Sequence, residues 1–131
     1  MEKVLELGGY SARYCGRLFV QTGYSVSRVK SSPKPGWASR MAMNLFLDVE
    51  KQYLDSFRQD LPNSFDVVIV EANSADEAIN LGIEEWKNAI VVVITPFGLS
   101  GPRRNWKATS STLLAMGGYT QLMGDEGRTP L

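Results

Sequence analysis

The chain has 131 residues, of which 44% are hydrophobic, and its 14 acidic residues balance 14 basic ones. This size and composition fit one compact domain, and the absence of net charge argues against a main role in binding nucleic acid or an anionic membrane. There is no histidine and only one cysteine, so the commonest general base, the commonest metal ligand and an internal disulfide are all missing. We expect a cytoplasmic domain without a metal, whose partner is a small molecule or another protein.

Strand and helix patterns alternate along the first half of the chain. The predicted elements, in chain order, are a strand at Val4–Leu7, a helix at Arg13–Thr22, a strand at Ser25–Val29, a long loop at Ser31–Arg40 and a helix at Val49–Leu61. The loop contains two prolines and a glycine, and its length suggests that it serves a ligand or a partner. The last helix has apolar residues at helical spacing, and Asp48 is expected to cap its first turn.

The same alternation continues in the second half. The predicted elements there are a strand at Phe65–Val70, a helix at Ala75–Leu81 capped by Ser74, a turn at Glu84–Lys87, a strand at Ala89–Ile94 and a helix that begins after Lys107. Strands that alternate with helices predict a parallel sheet with right-handed crossovers. The sequence therefore predicts an α/β fold, a Rossmann-like parallel sheet flanked by helices, as a single domain over residues 1–131.

The turn after the first strand argues against binding of a nicotinamide dinucleotide. It contains Gly8, Gly9 and Gly16, which do not fit the spacing G-x-G-x-x-G, and no acidic residue ends the second strand to hold a ribose. A P-loop, a nucleophile elbow and a metal-ligand cluster are also missing from the sequence. The fold pattern alone thus leaves the ligand open.

A Pro- and Gly-rich loop follows the strand Ala89–Ile94, and α/β proteins bind ligands at such strand ends. From Ile94 to Pro102 the sequence reads Ile-Thr-Pro-Phe-Gly-Leu-Ser-Gly-Pro, with Trp106–Thr109 soon after. This run is similar to a signature of the class III CoA-transferases (the CaiB/BaiF family), whose relatives include α-methylacyl-CoA racemases.

The resemblance extends over almost the whole chain in the family's order. The other matching segments are Val4–Leu7, Gly16–Tyr24, Ser25–Lys30, Asn44 with Leu47–Val49, Asp66–Asn73, Leu81–Gly82, and Gly124 with Pro130–Leu131. Two departures concern CoA contacts, because Ser31 replaces an acidic residue of the family and a Pro-Gly stretch is missing near Ser74. The resemblance implies a domain that binds coenzyme A or acyl-CoA.

The family's chemistry depends on a carboxylate that has no counterpart here. In the mechanism that the resemblance implies, an aspartate attacks the acyl-CoA thioester and then carries CoA as an aspartyl thioester to the acceptor acid. The position of that aspartate lies beyond the match to Leu131, so we assign no catalytic residue and expect the chain alone to be inactive. Thr109 stands where the racemase branch has a histidine, which argues against a racemase.

Candidate CoA contacts come from the turns at the strand ends. The resemblance places Ser11 and Ala12, Ala72 and Asn73, and Lys107 near CoA. The segment Ile94–Thr109, which we call the signature loop, adds Phe97 and Gly98. The basic groups Lys30, Lys34 and Arg40, and Arg103 and Arg104, could meet the CoA phosphates. Backbone N–H groups at Gly98–Gly101 and Gly117–Gly118 could stabilise an oxyanion.

Three kinds of protein fit this sequence. The preferred interpretation is the N-terminal CoA-binding part of a class III CoA-transferase, without that family's small domain and C-terminal half. The alternatives are a naturally short, non-catalytic binding module and a half-enzyme subunit that needs a partner chain. Because the rest of the family fold would cover apolar surface, we expect self-association or pairing with a chain that carries the missing half.

Overall fold

Five parallel strands form one sheet, which the computed structural model describes for residues 2–29, 41–123 and 127. The strands are β1 (Lys3–Leu7), β2 (Ser25–Val29), β3 (Gln52–Leu54), β4 (Val67–Glu71) and β5 (Ile90–Ile94). The helices are α1 (Tyr10–Gln21), α2 (Met41–Asp48), α3 (Ala75–Asn80), α4 (Ser110–Met116) and α5 (Tyr119–Leu122), with short 3-10 turns at Leu61–Ser64 and Ile83–Glu85.

The strand order is β3-β2-β1-β4-β5, and every neighbouring pair is parallel. The chain runs outward from β1 to β3 and then returns to place β4 on the other side of β1. This order matches the first five strands of the doubly wound Rossmann-like order 3-2-1-4-5-6, and the predicted fold class is confirmed.

Strand residues alternate between two apolar layers. Val4, Val26 and Ile69 lie on the face covered by α1, while Leu5 and Val68 lie on the opposite face beside Trp86. All of these side chains are almost fully buried. Since both faces of the central strands are covered, the strands read as nearly continuous apolar runs in the sequence.

The helix predicted at Val49–Leu61 is wrong. Helix α2 ends at Asp48, and the chain then turns at Glu50, whose φ of 63° is left-handed, before it enters β3. The carboxylate of Asp48 therefore lies at the end of a helix and caps no first turn. The apolar residues that suggested helical spacing, Leu54, Phe57 and Leu61, reach the core from β3, a loop and a 3-10 turn.

The other predicted elements differ from the structure by a few residues at most. Helix α1 begins three residues earlier than predicted, at Tyr10, and the third predicted strand lies at Val67–Glu71. Ser74 caps α3 as predicted, because its hydroxyl accepts a hydrogen bond from the backbone N–H of Glu77 at 3.2 Å. The predicted loop at Ser31–Arg40 lies outside the described residues.

Apolar side chains are exposed on β5 and on the last two helices. Ile90 and Val92 are 68% and 41% exposed, and Leu122 of α5 is 82% exposed. Leu113, Leu114 and Met116 of α4 are also exposed. In the described part of the chain no helix has both the length and the apolar character needed to cross a bilayer.

Candidate functional site

A crevice of about 210 Å³ opens at the carboxyl ends of β4 and β5. Its walls come from Ser11 at the start of α1, Glu71–Asn73 after β4, Ile94–Pro96 after β5, and Ala108–Ser110 with Leu113 at the start of α4. The sheet order reverses between β1 and β4, next to this crevice, and doubly wound proteins bind ligands at such a point.

A carboxylate of the protein lies at the start of α1. Oε2 of Glu71 accepts a hydrogen bond from the backbone N–H of Ala12 at 2.9 Å. This bond satisfies one of the N–H groups that a first helical turn leaves without an intrahelical partner, and the negative charge interacts favourably with the helix dipole. Glu71 therefore caps α1 from a neighbouring strand, which Gly9, at the N-cap position, cannot do through a side chain.

The signature loop is fastened to α3 through Asp76. The side-chain amide of Asn105 donates to Oδ2 of Asp76 at 2.7 Å, and the backbone N–H of Asp76 donates to Oδ1 of Asn105 at 3.1 Å. The carbonyl of Arg104 accepts from the N–H of Ala75 at 3.0 Å. These contacts hold the segment between β5 and α4 against the helix that follows β4, so two walls of the crevice are joined.

Three of the predicted CoA contacts line the crevice. These are Ser11, Ala72 and Asn73, which come from the turns after β1 and β4. Ala12 is fully buried, and its N–H is occupied by Glu71. The N–H and side-chain amide of Asn73 both donate to Oε2 of Glu77, at 2.8 and 2.9 Å, so these donors are also occupied.

The other predicted contacts lie beside the crevice or outside the described residues. Lys107 is exposed and lies two residues before Thr109, the N-cap of α4, so the helix begins after Lys107 as predicted. Arg104 is exposed, and its Nη2 lies 3.7 Å from Oδ1 of Asp76. Lys30 and Arg40, like Lys34, fall on residues whose structure is not described.

Aromatic contacts shape the signature loop. The rings of Phe97 and Trp106 meet edge to face with centroids 6.1 Å apart, and the guanidinium of Arg103 lies 5.1 Å from the centroid of Trp106. Gly98 is exposed and has a φ of 78°, a left-handed conformation that favours glycine. Trp106 thus packs within its own loop.

The prediction that the N–H groups of Gly117–Gly118 stabilise an oxyanion is wrong. The N–H of Gly117 donates to the carbonyl of Leu113 at 2.9 Å, and the N–H of Gly118 donates to the carbonyl of Ala115 at 3.0 Å. These N–H groups complete the C-terminal turn of α4, so they are not available to a substrate oxygen.

Sequence reasoning missed Glu71 and Thr95 as crevice residues. Glu71 is the first charged residue after an apolar strand, and that position at a carboxyl strand end was an available signal. The hydroxyl of Thr95 is buried and has no hydrogen-bond partner in the part of the chain that the structure describes. Thr109 lines the crevice and caps α4 by accepting from the N–H of Thr112 at 3.3 Å.

A second cluster of charged side chains is buried between the sheet and the first two helices. Nζ of Lys51 donates to Oε2 of Glu6 at 2.6 Å and to the carbonyl of Arg13 at 2.7 Å. The Lys51 side chain is 0% exposed and that of Glu6 is 2% exposed. Burial raises the pKa of the Glu6 carboxyl against the effect of Lys51, and burial lowers the pKa of the Lys51 ammonium. A buried charge without a partner is strongly disfavoured, so Glu6 and Lys51 depend on each other to remain charged in the core.

Asp48 extends this cluster to α1 and β2. Its carboxylate accepts from Arg13 at 2.7 and 3.0 Å, from Arg28 at 2.8 Å and from the Tyr53 hydroxyl at 3.0 Å. Burial alone would raise the pKa of Asp48, but the bonds from Arg13, Arg28 and Tyr53 outweigh it and lower that pKa. We refer to Glu6, Arg13, Arg28, Asp48 and Lys51 as the ion cluster.

One glycine makes room for the ion cluster. A Cβ on Gly16 of α1 would collide with Oε2 of Glu6 and would lie 3.1 Å from Nζ of Lys51. Helix α1 can therefore approach β1 closely only because it has no side chain at this position.

Comparisons with known proteins support the fold. No family model matches the sequence, and no curated protein matches it. Among solved structures, the crystal structure of Rv3272 from M. tuberculosis in its orthorhombic form is similar, with a TM-score of 0.71 and 18% sequence identity. The match covers 99% of this chain and 43% of that chain, so this chain spans less than half the length of its structural neighbour. At this identity the likeness establishes the architecture and leaves the activity open.

Proposed function

We propose that this chain is the N-terminal CoA-binding part of a cytoplasmic acyl-CoA:carboxylate CoA-transferase of class III. The observation that carries the proposal is the crevice at the carboxyl ends of β4 and β5. It brings together Ser11, Ala72–Asn73 and the start of the signature loop at Ile94–Pro96, three segments far apart in the sequence. The sequence resemblance links each of these segments to CoA.

The crevice suits the uncharged arm of CoA. Hydroxyl-bearing side chains of Ser11, Thr95 and Thr109 line it together with the apolar side chains of Ile94 and Leu113. Such a mixture fits a chain of amide and methylene groups that ends in a thiol or thioester. The phosphates of CoA would then lie outside, toward the exposed side chains of the segment between β5 and α4, where Lys107 is the basic residue next to a crevice wall.

The chain's part in the reaction is binding and orientation. Transfer in this family begins when a carboxylate attacks the thioester carbon, which releases the CoA thiolate and leaves an acyl anhydride on the enzyme. The sequence resemblance assigns that carboxylate to no residue of this chain. We therefore propose that another part of the complete enzyme supplies it.

Isothermal titration calorimetry with CoA tests the proposal. We expect the wild-type chain to bind CoA and Lys107→Ala to bind it about tenfold more weakly, because a charge-assisted contact to phosphate contributes about 1.5 kcal/mol or more. Lys87→Ala is the matched control, since Lys87 is exposed and precedes β5, at the amino ends of the strands and away from the crevice. Absence of CoA binding by the wild-type chain would contradict the proposed function, and equal affinities of the two variants would remove Lys107 from the site.

A second candidate is a half-enzyme subunit whose site a partner chain completes. The exposed apolar side chains Ile90 and Val92 on β5, and Leu122 on α5, favour it. Large apolar side chains exposed on a strand are typical of a surface that another polypeptide covers. In this candidate the CoA crevice stays the same, and the missing carboxylate and half of the fold come from the partner.

A further inference from the structure

We propose that Glu71 is a specificity-determining residue that excludes phosphate from the start of α1, so that the crevice accepts the uncharged pantetheine end of CoA. This inference rests on the proposed function. It concerns which part of the coenzyme the crevice takes, and it assigns a role to a residue that the sequence did not single out.

The start of α1 is the position at which many doubly wound proteins bind a phosphate. There the first helix after β1 directs free backbone N–H groups at the anion, and the helix dipole adds to the attraction. In this chain the N–H of Ala12 donates to Oε2 of Glu71 at 2.9 Å. The protein's own carboxylate therefore occupies the donor and supplies the negative charge that a phosphate would bring.

The turn between β1 and α1 is shaped around this carboxylate. A Cβ on Gly8 would lie 2.6 Å from Cβ of Glu71 and 2.8 Å from its carbonyl oxygen, and Gly8 has a φ of +130°. A Cβ on Gly9 would lie 3.1 Å from Oε1 of Glu71. The two glycines that fail to match the dinucleotide pattern thus allow Glu71 to approach the turn closely.

A second donor at the crevice is occupied in the same way. The backbone N–H of Asn73 donates to Oε2 of Glu77 at 2.8 Å, and the side-chain amide donates to the same oxygen at 2.9 Å. Both Glu71 and Asn73 line the crevice. A phosphate placed there would meet a carboxylate on the α1 side and occupied amides on the β4 side.

The groups left for a ligand are neutral. Ser11 and Thr95 contribute hydroxyl-bearing side chains to the lining, and Ala72 and Pro96 contribute apolar surface. Neutral hydrogen-bonding groups pair with amides and thioesters without the repulsion that an anion meets near a fixed carboxylate. Glu71 thereby selects the reactive end of the coenzyme over its phosphates.

The test is an NMR titration of the ¹⁵N-labelled full chain, with inorganic phosphate and pantetheine as separate probes. The variants are Glu71→Ala, which removes the charge and the acceptor, and Glu71→Gln, which keeps an acceptor and removes the charge. Glu84→Gln, an exposed change in the 3-10 turn before β5, is the control for loss of one negative charge.

We expect inorganic phosphate to leave the Ala12 amide signal of the wild-type chain unmoved and to shift it in both Glu71 variants. Phosphate affinity should rise by about tenfold or more in Glu71→Ala, a change of about 1.4 kcal/mol, and by a smaller factor in Glu71→Gln. Glu84→Gln should behave like the wild-type chain. Pantetheine should shift the Ser11, Asn73 and Thr95 signals of the wild-type chain.

Phosphate affinities that are the same in the wild-type chain and in the folded Glu71 variants would overturn the inference. If Glu71→Ala does not fold, Glu71→Gln alone decides, because it differs from the wild-type side chain only at the carboxyl group. Pantetheine that moves no crevice signal, while phosphate affinity still rises in the variants, would contradict the proposed function and leave the phosphate exclusion standing. Phosphate binding at the Ala12 amide of the wild-type chain would overturn the inference directly.

Discussion

The two sides of the sheet differ in which side chains are buried. At the β2 end, α1 and α2 enclose the ion cluster, and the Lys51 side chain is 0% exposed. At the β5 end, Ile90 is 68% exposed although it lies in a strand. Burial in this chain therefore follows the presence of a covering layer more closely than residue type. The charged side chains of the ion cluster are paired and covered, whereas Ile90 and Val92 of β5 are apolar strand residues with little cover, and α2 exposes Met41 and Leu45 on its outer side.

The ion cluster should be the most sensitive part of the fold. Lys51→Met would leave the Glu6 carboxylate buried without its 2.6 Å partner, and we expect the free energy of unfolding to fall by about 3–5 kcal/mol. Urea denaturation measures this loss, and Lys87→Met, at an exposed lysine, is the control. The double variant Lys51→Met with Glu6→Leu should regain part of the loss, because no unpaired carboxylate stays buried. Equal stabilities of the two single variants would mean that Glu6 and Lys51 contribute nothing as a pair.

The second prediction concerns the pH dependence of the same end. Folding lowers the pKa of Asp48, so its contribution to stability is fully present above the unfolded pKa of about 4 and is lost as the pH falls through the lower folded value. The free energy of unfolding of the wild-type chain should exceed that of Asp48→Asn by about 2 kcal/mol at pH 6, and this difference should shrink below pH 4. Glu6 acts in the opposite sense, because burial raises its pKa, but it is present in both proteins. Urea denaturation across this pH range measures the difference, and a constant difference would contradict the role of the Asp48 carboxylate.

A substitution on β5 should change self-association more than it changes the free energy of unfolding. Ile90→Lys places a charge on exposed apolar surface, so we expect it to reduce self-association and to change the free energy of unfolding by at most about 0.5 kcal/mol. Light scattering over a range of concentrations measures the association, and Asn88→Lys, an exposed change of similar charge, is the control. A wild-type chain that stays monomeric throughout would contradict the expected self-association. Equal association of the two variants would exclude Ile90 from the contact surface.

The sequence predicted most of the sheet because its strands are short apolar runs between glycines and polar turns. It did not predict α2 and β3. Asp48 and Lys51 have local neighbours that suggest a helix, but their positions are set by Arg13, Arg28 and Glu6 on distant elements, and periodicity carries no information about such pairs.

The candidate site was predictable to the same extent and for the same reason. Ser11, Ala72 and Asn73 could be placed because they follow strands whose carboxyl ends meet at one edge of the sheet. The role of Glu71 could not, since its partner at Ala12 is 59 residues away along the chain. The expectation at Gly117–Gly118 was wrong because a Gly-Gly pair after a helix closes that helix as readily as it binds an oxyanion.

The absence of a side chain at Gly16 links the evolutionary fates of several positions. Because a Cβ there would collide with the Glu6 carboxylate, a change of Gly16 to alanine would displace that carboxylate from Lys51. We therefore expect substitutions at these three positions to be linked. Among descendants of this chain, a bulkier residue at position 16 should be accompanied by an uncharged pair at positions 6 and 51.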